Sequence, residues 1–77
     1  MIMKKIDQNK FNEQLGVVVR KIREERGLSR LALAEISRVN EKYLGKIERG
    51  ECSASAYILK KISLGLNIQL SNLLIKL

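Results

Sequence analysis

The sequence predicts an all-helical fold, and three observations favour it. The 77 residues include no proline and only five glycines. From Phe11 onward, apolar residues recur at the three- and four-residue spacings of amphipathic helices. Hydrophobic residues make up 45% of the chain but aromatic residues only 4%. We therefore expect one small domain with an aliphatic core.

The first helix is predicted at about residues 11–26. Gly27 follows it as a stop signal, and Arg26 lies in the last turn, where the helix dipole favours a cation. The apolar face of this helix consists of Phe11, Leu15, Val18, Val19 and Ile22. Residues 1–10 show no sustained period, so we interpret them as a flexible or short lead-in arm before a domain at residues 11–77. The lysines of this arm, Lys4, Lys5 and Lys10, could contact phosphate, or the arm could simply be a disordered basic segment.

Two short helices joined by a tight turn are predicted at residues 30–37 and 41–49. Ser29 and Asn40 are suitable N-caps for them, and Gly50 ends the second. The side chains that we expect to face inward are Leu33, Ile36, Leu44 and Ile47. Helices this short need other elements packed behind them. The outward face is polar and mostly basic, with Arg30, Glu41, Lys42, Tyr43, Lys46 and Arg49.

Two further helices are predicted in the last third of the chain. Ser55 can cap the fourth, which places Ile58, Leu59, Ile62 and Leu66 inward, and Gly65 inside it either weakens it or permits close packing. The fifth is expected at residues 70–76. It carries more apolar residues than one buried stripe needs, namely Leu70, Leu73, Leu74, Ile75 and Leu77. Such a surplus usually marks an interface, although these residues could instead complete the core of the monomer.

Composition narrows the classes of function. Fifteen Lys and Arg against eight Asp and Glu give a formal charge of +7, which suits a polyanion such as nucleic acid but could also only aid solubility. Cys52 is the single cysteine and there is no histidine, so we expect no internal disulfide and no metal site. No paired acids are expected in a cleft either, so we expect no enzyme activity and no cofactor. A single domain offers no place for ligand control, so we expect no small-molecule ligand. No apolar run approaches a membrane span and the start is not a secretory signal, so we expect a cytoplasmic protein. RNA binding is disfavoured because the only aromatic residues are Phe11, Tyr43 and Tyr57.

The central stretch resembles the helix-turn-helix of the XRE family, the phage-repressor and Cro-like DNA-binding proteins. The residues that carry the resemblance are Gly27-Leu28-Ser29, Leu33-Ala34, Val39 and Ile47-Glu48-Arg49-Gly50, and it extends to residues 15–26 and 55–74. The resemblance implies a compact five-helix, phage-repressor-like domain whose second motif helix enters the major groove of double-stranded DNA.

Residues near the N-terminus of that recognition helix meet base edges in the groove. The base-reading candidates are Glu41, Lys42, Tyr43 and Lys46. Lysine can donate to guanine, Glu41 can accept from cytosine, and Tyr43 offers a ring to a thymine methyl group or a hydroxyl to phosphate. The phosphate candidates are Arg30, Asn40, Arg49, Arg23, Ser53 and Ser55.

The resemblance also implies an ion pair between Arg23 and Glu48, with guanidinium N–H groups left for a phosphate or serving only the scaffold. It implies a two-fold dimer through the fifth helix, at Leu70, Leu73, Leu74, Ile75 and Leu77. Two departures from the family pattern stand out. Arg38 replaces the usual glycine of the turn, at a cost of about 1 kcal/mol if the conformation is left-handed. Ala54 replaces a common proline, so the loop at residues 50–54 is expected to be looser.

The predicted function is a sequence-specific transcriptional regulator that binds a pseudo-palindromic operator as a homodimer and regulates its own gene. The run from Tyr43 to Arg49 is similar to that of restriction–modification controllers, which rank first among the small stand-alone members. The alternative is an antitoxin-like module that binds another protein through its apolar C-terminal face, with DNA binding secondary.

Overall fold

The computed structural model describes residues 6–77, and this part of the chain forms five helices and no strand. They are α1 (Gln8–Glu25), α2 (Arg30–Ser37), α3 (Glu41–Glu48), α4 (Ala56–Gly65) and α5 (Leu70–Ile75). The predicted all-α, five-helix class is confirmed. Residues 1–5, including Lys4 and Lys5 of the expected arm, lie outside the described residues.

Helix α1 begins three residues before the predicted start. Asp7 is its N-cap, and the carboxylate accepts hydrogen bonds from the backbone N–H groups of Asn9 at 2.9 Å and Lys10 at 3.2 Å. A cap of this kind satisfies donors that the first turn of a helix leaves free. The apolar pattern could not reveal it because the first turn carries no core residue.

The N-caps of the next three helices follow the prediction. Ser29, Asn40 and Ser55 accept hydrogen bonds from the backbone N–H groups of Ala32, Tyr43 and Ile58, at 3.0, 3.1 and 3.2 Å. Each side chain closes the first turn of its helix. The starts of α2, α3 and α4 are therefore encoded locally.

The core lies where α1, α2, α3 and α4 converge, and α5 packs on α4. Its buried apolar residues are Leu15, Val19, Ile22, Leu33, Ala34, Val39, Leu44, Ile47, Leu59, Ile62, Leu66 and Leu73. The inward placement predicted for Ile36 is wrong, because its side chain is 57% exposed. The buried arc of α2 runs through Leu33, Ala34 and Ser37, and Ile36 lies beside it.

Two glycines allow helices to approach closely. A Cβ added to Gly16 of α1 would collide with the backbone carbonyl oxygens of Ile47 and Glu48 at the end of α3. A Cβ added to Gly65 of α4 would collide with the Ser37 hydroxyl. Gly65 therefore permits close packing of α4 on α2, as one of the two sequence-based interpretations proposed. Gly16 permits the same close packing between α1 and α3.

The turn between α2 and α3 has the strained geometry expected from its sequence. Arg38 has φ 55° and ψ 44°, in the left-handed region. Its backbone N–H donates to the carbonyl oxygens at the end of α2, which ends the helix there. The turn thus keeps the geometry that usually favours glycine, and Val39 returns to the core.

Candidate nucleic-acid interface

The N-termini of α2 and α3 share one exposed polar surface. A shallow pocket of about 360 Å³ is lined by Arg30, Asn40, Glu41, Lys42, Gly45 and Arg49. Five of these six residues are sequence-predicted site residues, contributed by two helices and the turn before α3. The fold therefore brings together half of the ten candidates for base and phosphate contact.

Two arginine side chains converge over Gly45 in this surface. A Cβ added to Gly45 would lie 3.0 Å from Nη1 of Arg49 and 3.4 Å from Cζ and Nη1 of Arg30. The absence of a side chain at this position gives the two guanidinium groups room to lie side by side. Paired guanidinium donors suit an oxyanion such as a phosphate. Gly45 was not among the sequence-predicted site residues, and a glycine inside so short a helix was the available signal.

The recognition-helix candidates differ in how free their side chains are. Glu41, Lys42 and Lys46 are exposed, so they can reach a ligand outside the protein. Asn40 uses its side-chain oxygen to cap α3, which leaves only the amide N–H groups for phosphate. Tyr43 is half-buried, and its hydroxyl donates to the carbonyl oxygen of Ser53 at 3.0 Å. A phosphate contact by this hydroxyl would have to break that bond.

The remaining serine candidates lie at the start of α4. Ser55 is committed to capping the helix, where its Oγ accepts from Ile58 N–H. Ser53 is exposed and holds Tyr43 only through its backbone carbonyl. The Tyr43 bond therefore ties α3 to the loop that leads into α4.

Arg23 and Glu48 form a closely enclosed pair. Nε of Arg23 donates to Oε2 of Glu48 at 2.7 Å, and Nη2 donates to Oε1 at 3.0 Å. Nη1 of Arg23 donates to the carbonyl oxygen of Leu28 at 2.8 Å. The side chains are 12% and 4% exposed, and the hydrogen bond to Glu48 raises the pKa of Arg23. This pair joins α1, the following loop and α3, and leaves Arg23 little surface for a phosphate.

A second pair lies on the surface beside the arginine pair. Nε of Arg49 donates to Oε2 of Glu51 at 2.7 Å, and Nη2 approaches Oε1 at 3.4 Å. Both side chains are 50% exposed. The hydrogen bond raises the pKa of Arg49 and lowers the pKa of Glu51. Arg49 was among the sequence-predicted site residues but Glu51 was not, since no periodic pattern extends into this loop.

The residues proposed for a dimer interface divide into three groups by their burial. Leu73 is fully buried, so its assignment to an interface is corrected: it belongs to the core of the monomer, where α5 packs on α4. Leu70 and Leu77 are half-buried against the same core. Leu74 and Ile75 are 42% and 80% exposed. Of these five residues, only Leu74 and Ile75 leave a substantial apolar surface of α5 exposed.

Other kinds of site are not evident in the part of the chain that the structure describes. Among residues 6–77, no helix is long and apolar enough to cross a membrane. The same residues contain no group of three or more His, Cys, Asp or Glu side chains that could hold a metal ion.

Comparison with known proteins identifies a family for this arrangement. The model of the HTH_3 family, described as helix-turn-helix, matches residues 19–73. The HTH-type transcriptional regulator SutR of Escherichia coli (strain K12) is 40% identical over 57 residues, which are 74% of this chain and 32% of SutR. The chain thus spans about a third of the length of this relative.

Solved structures resemble the fold along most of the chain. The restriction-modification controller protein C.AhdI from Aeromonas hydrophila matches with a TM-score of 0.81 and 30% identity, over 83% of this chain and 97% of that protein. The restriction-modification controller protein C.Esp1396I, solved as a tetramer in complex with its natural 35 base-pair operator, matches with a TM-score of 0.75 and 26% identity. That match covers 84% of this chain and 91% of C.Esp1396I.

Proposed function

Because this chain belongs to the HTH_3 (XRE) family of helix-turn-helix, DNA-binding transcriptional regulators, we propose that it binds operator DNA sequence-specifically as a homodimer. The observation that carries the proposal is the convergence of Arg30 and Arg49 over Gly45, beside the exposed N-terminal half of α3. This surface combines donors for the DNA backbone with side chains for base edges. The family is one of regulators and not a class of enzymes.

Each part of the surface has a distinct role in the proposed complex. Helix α3 enters the major groove, where Lys42 and Lys46 donate to guanine and Glu41 accepts from cytosine. Arg30 and Arg49 bind backbone phosphates on one side, and the amide of Asn40 can assist them. Phosphate contacts supply much of the affinity and fix the register, whereas base contacts supply the choice of sequence.

The start of α4 and the tyrosine of α3 contribute less directly. The hydroxyl of Ser53 and the first turn of α4 after Ser55 can approach the DNA backbone, since helix N-termini favour anions. The hydroxyl of Tyr43 keeps its hydrogen bond to the carbonyl oxygen of Ser53, and the exposed part of its ring is available to a thymine methyl group. Arg23 acts through Glu48 on the placement of α3 and makes at most a marginal phosphate contact.

The homodimer in this proposal forms through the exposed part of α5. Leu74 and Ile75 would be covered by the same residues of a second copy, as a two-fold axis requires. Two copies of α3 would then enter successive major grooves about 34 Å apart on a pseudo-palindromic operator. The likeness to C.AhdI covers nearly all of that protein, which supports the controller type: a cytoplasmic regulator of its own gene.

Binding to the DNA upstream of its own gene tests the proposal. We expect a preference for this fragment over a scrambled fragment of equal length, binding that steepens with protein concentration, and a strong loss of affinity at higher salt. Lys46→Ala should reduce the preference, whereas Arg30→Ala should weaken binding to both fragments and lower the salt slope by about one. Equal, weak binding of both fragments by the unmodified protein would contradict sequence-specific regulation.

The dimer requires its own test. Leu74→Glu should yield monomers of unchanged helical content in sedimentation and circular dichroism, because a charge cannot be buried unpaired at the interface. Leu74→Met keeps an apolar side chain at the same position and should remain dimeric. A dimer that survives Leu74→Glu would move the interface elsewhere. Co-purification of an unrelated chain that Leu74→Glu releases would favour the antitoxin-like alternative.

A further inference from the structure

The two edges of the Arg49 guanidinium group have different occupants. The edge formed by Nε and Nη2 faces the carboxylate of Glu51, at 2.7 and 3.4 Å. Nη1 lies over Gly45 beside the guanidinium group of Arg30. The occupied edge is one of the two through which a guanidinium group can bind two oxygens of a carboxylate or a phosphate side by side. Arg49 is therefore already bound to an oxyanion that the chain itself supplies.

This internal oxyanion can be exchanged. Both side chains of the pair are 50% exposed, and ion pairs in contact with water are weak and screened by salt. The two partners are only two residues apart, so no packing between helices depends on the contact. A phosphate that arrives at this surface meets a carboxylate that it can displace.

We propose that Glu51 is a built-in competitor for Arg49: a DNA backbone phosphate must displace it to bind the Nε/Nη2 edge, so that Glu51 lowers the affinity of this surface for DNA of any sequence. The inference rests on the proposed DNA-binding function. The contact with Arg49 lowers the pKa of Glu51, so the competing carboxylate is charged throughout the neutral pH range. The competition weakens phosphate binding and leaves the base-reading side chains of α3 untouched, which favours contacts that depend on sequence.

The test measures binding of the full chain to a short duplex of arbitrary sequence, which requires neither the operator nor a dimer. Glu51→Gln keeps the shape of the side chain and removes its charge. We expect it to tighten binding at low salt by about three- to tenfold and to steepen the salt dependence by about one phosphate contact. Glu25→Gln changes the net charge equally at an exposed position of α1 and should change the affinity by less than about twofold, since screening weakens a distant charge.

A second background shows whether Arg49 carries the effect. In a chain with Arg49→Gln, adding Glu51→Gln should change the affinity no more than Glu25→Gln does, because the competed donor is gone. Weaker binding by Glu51→Gln in the parent chain would overturn the inference and make Glu51 a positioning residue. Equal effects of Glu51→Gln and Glu25→Gln would also overturn it, as would an effect that persists without Arg49.

Failure of the proposed function would look different. If the unmodified chain showed no salt-dependent binding to any duplex, DNA binding itself would fail. If the unmodified chain bound DNA and Arg49→Gln weakened that binding, DNA binding would stand whatever Glu51→Gln did. The parent chain and the single variant thus report on the function, and the glutamate variants report on the competition.

Discussion

Two arginine–glutamate pairs in this small domain have the same chemistry and opposite surroundings. In each, Nε of the arginine lies 2.7 Å from Oε2 of the glutamate. The Arg23–Glu48 pair joins residues 25 positions apart and is 12% and 4% exposed, whereas the Arg49–Glu51 pair joins near neighbours that are 50% exposed. Burial decides what the same contact does: the first fixes α1 to α3, and the second can be exchanged.

The largest expected difference concerns stability. Glu48→Ala should lower the free energy of unfolding by about 3 kcal/mol, because it leaves the Arg23 guanidinium group enclosed without its counter-charge. Urea unfolding should show a lower midpoint with an unchanged slope. Glu51→Ala is the matched control, and we expect little change in its midpoint because water replaces the lost contact of Arg49. Similar losses in the two variants would contradict the contrast between the pairs.

A smaller difference in stability is expected between substitutions of two glycines. Gly16 lies where α1 contacts the end of α3, and Gly45 lies within α3 beneath the side chains of Arg30 and Arg49. Gly16→Ala should destabilise the domain by about 1–3 kcal/mol, since its Cβ would meet backbone carbonyl groups that cannot move independently. Gly45→Ala would meet only the ends of two arginine side chains, and alanine favours a helix over glycine by about 1 kcal/mol. We therefore expect unchanged or higher stability for Gly45→Ala together with weaker DNA binding, as Arg30 and Arg49 are displaced.

Thermal and urea unfolding of both variants, with binding to a duplex, would check this contrast. A Gly45→Ala chain that loses stability like Gly16→Ala would show that the surface around Arg30 and Arg49 is as tightly packed as the joint between α1 and α3. A Gly45→Ala chain that binds DNA normally would show that the convergence of the two arginines is not needed.

The sequence predicted those parts of the fold that depend on local signals or on regular spacing. The N-caps at Ser29, Asn40 and Ser55 follow from residue type and position, and the apolar period identified most of the core. Ile36 was assigned to the wrong side because a helix of eight residues has too few positions to fix its buried arc. Leu73 was assigned to an interface because spacing does not reveal how much of α5 the monomer covers.

The candidate site was predictable in composition but not in detail. The outward side chains of α2 and α3 follow from helical geometry, so Arg30, Lys42 and Lys46 could be named. The arginine pair over Gly45 depends on the angle at which α2 meets α3, which no pattern in the sequence encodes. Glu51 depends on the path of an irregular loop, so its contact with Arg49 became visible only in three dimensions.

The smallest expected effect concerns the titration of Glu51. Because Arg49 holds the pKa of Glu51 below its ordinary value of 4.5, the stabilisation from this pair is present above that value and is lost as the pH falls through the lowered pKa. An NMR titration of the side-chain carboxyl carbon should therefore show a midpoint below 4.5, and Arg49→Gln should return it towards the ordinary range. Addition of a short DNA duplex should raise the midpoint in the parent chain, since a phosphate that takes Arg49 releases the carboxylate beside a polyanion. A midpoint that is unaffected by Arg49→Gln would show that the exposed Arg49–Glu51 pair does not persist in solution. The buried Arg23–Glu48 pair would then differ from it by existing in solution at all, and not only by its burial.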